Sequence, residues 1–164
     1  MPNLKKSRIR SATTTTRLKK RPRQMTAVVV NIPGPPVPKG RPRFTRGGFA
    51  YTPDKTRKYE KLVASLAKTA MAGRPPFGCP VKVMVTAFMR MPQMSKKRTA
   101  DALAGYILPA VKPDADNLAK AALDACNGII WRDDALICSL LVKKRYAAYP
   151  CLEIKVVPEG IFNL

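Results

Sequence analysis

Residues 111–145 read VKPDADNLAKAALDACNGIIWRDDALICSLLVKKR, and how this stretch divides into elements decides both the fold and the chemistry. Five of the ten acidic residues lie in it, Asp114, Asp116, Asp124, Asp133 and Asp134, in a chain that carries 31 Lys and Arg. Lys112-Pro113 biases the backbone toward extension, which predicts Asp114 and Asp116, two apart, on one side of an extended segment. Asn117 or Asp116 can cap a helix over 117–127, whose apolar positions Leu118, Ala122, Ala125 and Ile129 recur at helical spacing, and Asn127-Gly128 supplies the stop. Beyond Trp131, the pair Asp133-Asp134 leads into a strand from Leu136 to Val142 that ends at Lys143-Lys144-Arg145. A helix packed back on that strand lets the two acidic pairs meet.

Carboxylates brought together repel one another, and a divalent cation relieves that repulsion. Oxygen donors without histidine or suitably spaced cysteine favour Mg2+, or Mn2+, over zinc. Such ions support phosphodiester cleavage, so Asp114, Asp116 and Asp134, with Asp133 beside them, are candidate ligands. Lys120 follows Asp116 by one helical turn, where an ammonium can stabilise developing negative charge. The same residues also have a structural reading: Asp114 and Asp116 as helix caps, and Asp133-Asp134 as a solvated turn. Spacing alone leaves both readings open.

Working outward, Thr26 to Ile32 reads as a first strand, followed by the proline-rich PGPPVPKGRPR, which cannot be helical. Lys39, Arg41 and Arg43 interleave with its prolines and are expected to present cations to a nucleic-acid backbone. Phe44 to Tyr51 predicts a hairpin turning at Gly47-Gly48 with Arg46 near its tip, its aromatic residues Phe49 and Tyr51 in the core. Thr52-Pro53-Asp54 starts a helix, with Thr52 as N-cap and Pro53 in the first turn, that runs to about Ala72. Val81 to Met89 alternates as a strand with one packed face. Ser95 caps a short helix through Leu103 whose start carries Lys96 and Lys97, a second phosphate-binding candidate, and Gly105 ends it. Ala147 to Pro150 turns the chain, and Cys151 to Val157 returns as the partner of the preceding strand. The basic triplet Lys143-Lys144-Arg145 is read as lying a strand's length from the aspartates, facing an arm of the nucleic acid. These elements predict an α+β domain of two layers: a mixed sheet of about four or five strands with the 53–72 and 117–127 helices packed on it.

The net charge of +21 makes a polyanion the expected partner. No apolar run approaches the roughly 20 residues of a membrane span. Residues 1–24 hold nine basic residues and no acid, and are expected to be a disordered tail; residues 25–164 are expected to form one domain, itself still at a net +12. The tail reads either as an arm that adds salt-dependent phosphate contacts or as a dispensable extension before Met25, with a transit peptide the less favoured reading. Cys79, Cys126, Cys138 and Cys151 are widely spaced and fit reduced, buried cysteines of a cytoplasmic protein.

The run PDADNLAKAALDACNG followed by WRDDALI resembles the signature of the RusA family of Holliday junction resolvases, in which D-x-D-N-x-x-K opens a helix and a D-D pair follows a tryptophan-containing turn. PVPKGRPRFTRGGFAYTPDKTRKYE is similar to the family's basic N-terminal portion, so the likeness spans roughly Val28 to Pro158. Carried over, the family's catalytic carboxylates fall on Asp114, Asp116 and Asp134 and its functional lysine on Lys120. The resemblance implies a homodimeric, Mg2+-dependent endodeoxyribonuclease of bacterial or phage origin that makes paired nicks in four-way junctions and needs no small-molecule cofactor. Two rival readings stand beside it: a nuclease of the same chemistry acting on flaps or forks, and a basic nucleic-acid-binding module without catalysis.

Overall fold

The alternation of β-branched residues in three segments builds the centre of the molecule. In the computed structural model, which describes residues 26–40, 43–44, 50–51 and 53–159, these segments are β1 (Val28–Pro33), β4 (Val81–Arg90) and β6 (Cys151–Pro158). Every second side chain of each is buried: Val28, Val30 and Ile32; Val81, Val83, Val85 and Ala87; Leu152, Ile154 and Val156. Register brings them into rows, with Ile154 opposite Val30 on one side and Val85 on the other. A strand whose inner face is apolar at period two has only one way to bury it, so each row reinforces the next.

The sheet order is β1-β6-β4-β5, with β5 at Ile137–Ala147. β6 pairs antiparallel with both β1 and β4, and β5 pairs parallel with β4. Four strands in a mixed sheet match the expected class. The expectation that β6 partners the strand before it is corrected: β4 lies between β5 and β6. β4, apolar along its whole inner face, pairs with β6 on one edge and with β5 on the other.

Two helices cover one face of the sheet. Helix α1 (Asp54–Met71) buries Thr56, Tyr59, Val63, Ala67 and Met71, a stripe close to one residue per turn. Helix α3 (Ala115–Cys126) buries Leu118 and four alanines, Ala119, Ala121, Ala122 and Ala125, along with Cys126. Alanine is the strongest helix former, and its short side chain lets α3 approach α1 and the sheet closely. Helix α2 (Lys96–Leu103) is capped by Ser95 as expected and followed by Gly105 at φ 86°. Two short strands, β2 (Arg43–Phe44) and β3 (Ala50–Tyr51), pair antiparallel and form the expected hairpin.

Boundaries shift in three places. α1 takes Pro53 as its N-cap, with no side-chain capping bond, so proline sits one position earlier than its predicted place in the first turn. α3 begins at Ala115, two residues before the predicted 117, because Asp114 already has the extended backbone of an N-cap residue (φ −71°, ψ 146°). β5 runs through Lys143-Lys144-Arg145 to Ala147 and does not end before them, since an edge strand tolerates charges that find partners or solvent. Burial of cysteine holds for Cys126 only; Cys138 is exposed, and Cys79 and Cys151 are half-buried. The predicted basic tail at 1–24, Arg41 and Arg46, the Gly47-Gly48 turn with Phe49, and Thr52 lie outside the described residues, as do the side chains of Arg43 and Tyr51.

Ile154 is fully buried in the strand flanked on both sides. Ile154→Ala is expected to cost about 3 kcal/mol of stability in urea unfolding, within the range of large-to-small core changes. A cost under about 1 kcal/mol would show that the β1-β6-β4 rows do not form the core.

Candidate active site

The start of α3 carries the acidic pair. Asp114 is its N-cap residue, yet its side chain makes no capping hydrogen bond, and Asp116 stands in the first turn. The pair therefore straddles a helix start and does not line one extended segment, as first expected. An Asp at this position ordinarily spends its carboxylate on the second or third backbone N–H. Here Asp114 does not, which leaves an exposed carboxylate at the positive end of a helix dipole. Asn117 Nδ2 donates to Asp116 Oδ1 at 3.5 Å, a bond at the outer limit of hydrogen-bonding distance. Lys120, one turn beyond Asp116, is exposed on the same side of the helix.

The second acidic pair divides in role. Asp133 accepts a hydrogen bond from the Ala135 N–H at 2.8 Å and caps the short 3-10 turn Asp134–Leu136, as the structural reading of that residue expects. Asp134 instead accepts from the indole Nε1 of Trp131 at 2.7 Å. The charge of Asp134 reaches Cys126 at the far end of α3: burial first, and then this carboxylate, pushes the Cys126 thiol up to about 12. As donors, these exposed carboxylates suit a hard divalent ion in kind. In place they form two separate groups, and among the described residues no three His, Cys, Asp or Glu side chains are gathered closely enough to hold a metal ion.

Three of the predicted DNA-binding cations have partners within the fold. Lys39 pairs with Glu60 of α1 at 2.5 Å and Asp124 of α3 at 2.8 Å. Burial works against its charge, but the hydrogen bonds and charges of Asp124 and Glu60 outweigh it and hold its pKa above the ordinary value. The Lys39 N–H also donates to the Asn117 carbonyl at 2.8 Å, so the proline-rich loop is fastened beside Asp116. Lys144 Nζ donates to the carbonyls of Val111 at 2.5 Å and Pro113 at 3.1 Å, immediately before Asp114. Arg145 donates to the Gly105 carbonyl at 3.3 Å.

The placement of the basic triplet is thereby corrected. A strand's length separates it from Asp134, but β5 returns beside the start of α3, and Lys144 ends next to Asp114. Lys143 points to the sheet face away from α1 and α3, in a shallow groove with Met84, Thr86, Leu141, Glu153 and Lys155. Lys96 and Lys97 are exposed in the first turn of α2.

This arrangement places carboxylates and a lysine at one helix start, with a basic loop held beside them. The family model for endodeoxyribonuclease RusA matches residues 33–157. The chain belongs to the RusA endodeoxyribonuclease family. RusA-family proteins are Holliday junction resolvases that act on branched DNA, and the match takes in every element from the proline-rich loop to β6. A second similarity is to the uncharacterized protein YqaN of Bacillus subtilis, 32% identical over 143 residues, covering 80% of this chain and 96% of that protein. No helix among the described residues is long and apolar enough to cross a membrane.

The contacts around this candidate site are not visible in the sequence. In the sequence Glu60 reads only as part of a helix, and Trp131 only as part of a turn. One signal was available for Trp131: a buried indole N–H requires an acceptor, and Asp134 stands three residues on. For Lys39 no local signal exists, because its partners lie 21 and 85 residues away in sequence.

Lys39 is the ammonium shared by two acids on different helices. Lys39→Met is expected to destabilise the protein by about 1 kcal/mol, since it leaves the partly buried Glu60 carboxylate and the exposed Asp124 carboxylate facing one another without their shared cation. A double-mutant cycle with Asp124→Asn, read by urea unfolding, should give a coupling of about 1 kcal/mol. Strict additivity would show that the pair contributes nothing to joining loop and helix.

Proposed function

We propose that the protein is a Mg2+-dependent endodeoxyribonuclease that resolves four-way DNA junctions by paired symmetric nicks, acting as a homodimer in the cytoplasm of a bacterium or of a phage-infected cell. The observation that carries this reading is the Asp114 carboxylate, left out of helix capping at the start of α3, with Asp116 beside it and Lys120 one turn on. Family membership over residues 33–157 supports the same chemistry.

In this reading Asp114 and Asp116 would hold the ion from the helix start and Asp134 from its own turn, with Asp133 keeping that turn closed. Mg2+, or Mn2+, supplies when bound the Lewis acid that phosphodiester hydrolysis needs. Lys120 stabilises the negative charge that develops at the scissile phosphate. Arg41, Arg43, Arg46, Lys96, Lys97 and Lys143 contact DNA phosphates and fix the register of the duplex arms. Lys39, Lys144 and Arg145, already bonded within the fold, serve DNA binding by holding the basic loop and the segments before α3 in place. The single nuclease domain, 25–164, follows the basic tail, whose cations add salt-dependent affinity. Paired nicks require two active sites related by a two-fold axis, which a homodimer provides.

Cleavage of an end-labelled synthetic four-way junction, a fork, a flap and a linear duplex, each with Mg2+ and with EDTA, tests the reading. The expected result is symmetric nicking of the four-way junction with Mg2+ only. Asp114→Asn, Asp116→Asn, Asp134→Asn and Lys120→Met are each expected to lower the cleavage rate by roughly 10²-fold or more, the scale at which loss of a charge-stabilising group is felt. The Asp→Asn variants should bind the junction as tightly as wild type or more so, because a negative charge near phosphate is gone. Preferred cutting of forks or flaps would replace the junction with those substrates. Tight binding without cutting under either ion would make the protein a non-catalytic binding module.

A further inference from the structure

Tyr106 and Tyr149 are the most exposed large hydrophobic side chains among the described residues, at 84% and 86% of full exposure. Neither hydroxyl makes a hydrogen bond among those residues, so the fold itself makes little use of either ring. Register places both at one end of the sheet. Arg90, the last residue of β4, lies opposite Ala147, the last of β5, and Phe88 lies opposite Cys151, the first of β6. Residues 148–150 therefore cross the end of β4, which puts Tyr149 close to the exposed Arg90. The Gly34 N–H, where the proline-rich loop begins, donates to the Pro150 carbonyl at 3.1 Å. Tyr106 follows Gly105, whose carbonyl accepts from Arg145 two residues before the end of β5. Its own N–H donates to the Asp101 carbonyl at 2.9 Å, which fixes the backbone that carries the ring. The start of α3 is at this end too, since Lys144 bonds the Val111 and Pro113 carbonyls. Two unpacked aromatic rings thus share one end of the molecule with Asp114 and Asp116.

We propose that Tyr106 and Tyr149 form a stacking site for unstacked nucleobases, by which the protein recognises the branch point of its DNA as well as the phosphates of the arms. A tyrosine ring offers its face to any base without reading sequence. In a continuous duplex the bases already stack on one another and are closed to such a ring. At a branch point the stack is interrupted, and the cost of exposing a base is smallest where pairing and stacking are already disturbed. A hydrated ring covered by a base also loses apolar surface to water, and aromatic side chains have the most such surface to lose. Charge agrees with this occupant. Arg90 beside Tyr149, and Lys112 next to the Val111 carbonyl that Lys144 holds, are exposed cations for the phosphates that flank the bases. Cations beside aromatic faces are the combination that binds unpaired nucleic acid. The inference rests on the reading of branched DNA as substrate and requires no metal ion.

The test is binding of the full chain, in EDTA, to a synthetic four-way junction and to a linear duplex of the same sequence, with melting temperature and sedimentation measured alongside. Tyr106→Ala and Tyr149→Ala are each expected to lower junction affinity roughly 5- to 100-fold, the scale of one lost base–aromatic stack, and to leave duplex affinity and melting temperature unchanged. Tyr106→Phe and Tyr149→Phe keep the ring and should bind like wild type. Irradiation of a junction carrying 5-iodouracil at the branch point should crosslink it to these tyrosines, and the same base placed in mid-arm should not. Wild-type junction affinity in either alanine variant overturns the role of that residue. Equal losses on junction and duplex overturn the stacking site, because the rings would then serve the arms. Phenylalanine variants as weak as the alanine variants also overturn it, by assigning the effect to the hydroxyl. Alanine variants that sediment as a smaller species than wild type make the rings a contact between copies of the chain, and the stacking site fails. Wild-type protein that binds the junction no more tightly than the duplex overturns the reading of branched DNA as substrate, and this inference with it.

Discussion

The alanine face of α3 must be buried, and nearly everything about the site follows from where that burial puts the helix. Ala119, Ala121, Ala122 and Ala125 are packed away alongside Leu118, and their small side chains bring the helix axis close to α1 and to the sheet. A bulkier face would hold α3 farther out and move its first turn relative to the end of β5. The close approach allows Lys144, reaching from β5, to bond the carbonyls of Val111 and Pro113 just before Asp114. The packing of small apolar groups thus sets the position of the exposed acids at the start of α3.

Electrostatics then divides the cations of this very basic chain into two kinds. Lys39, Lys144 and Arg145 are engaged by acids or by main-chain carbonyls, and they join loop to helix, strand to loop and strand to helix end. Lys96, Lys97, Lys120 and Lys143 stand exposed, where charge is available to a polyanion. Under the proposed function both kinds would serve one task, since a basic loop that is not held in register with the carboxylates would bind DNA without presenting a phosphate to them. Lys39 illustrates the economy: its side chain ties α1 to α3, and its own N–H anchors the loop to Asn117.

The acids divide in the same way. Asp124 and Asp133 are used by the fold, one as a partner of Lys39 and the other as the cap of the 3-10 turn. Asp114 has the backbone of an N-cap residue, but its side chain makes no capping hydrogen bond. Asp134 lies between these cases, held by a core indole yet open to solvent.

Much of this was legible in the sequence, because period-two and period-3.6 patterns are local. The alternation in Val81–Arg90, the helix between Asp114 and Gly128, the Ser95 cap and the basic loop all follow from neighbours a few residues apart. The D-x-D-N-x-x-K and D-D runs were sufficient to suggest the family. What the sequence left open is whatever depends on residues far apart meeting. Strand order is one case, since pairing β6 with its predecessor or with β4 satisfies the same alternation, and only burial of β6 on both edges decides between them. The role of each charge is another, because Lys39 and Asp124 resemble any surface pair until the loop and α3 are packed together. Residue type and spacing determined which groups were present and what chemistry they can perform; the tertiary structure decided which of them the fold consumes, because an ion pair or a hydrogen bond exists only where packing brings its two partners within reach.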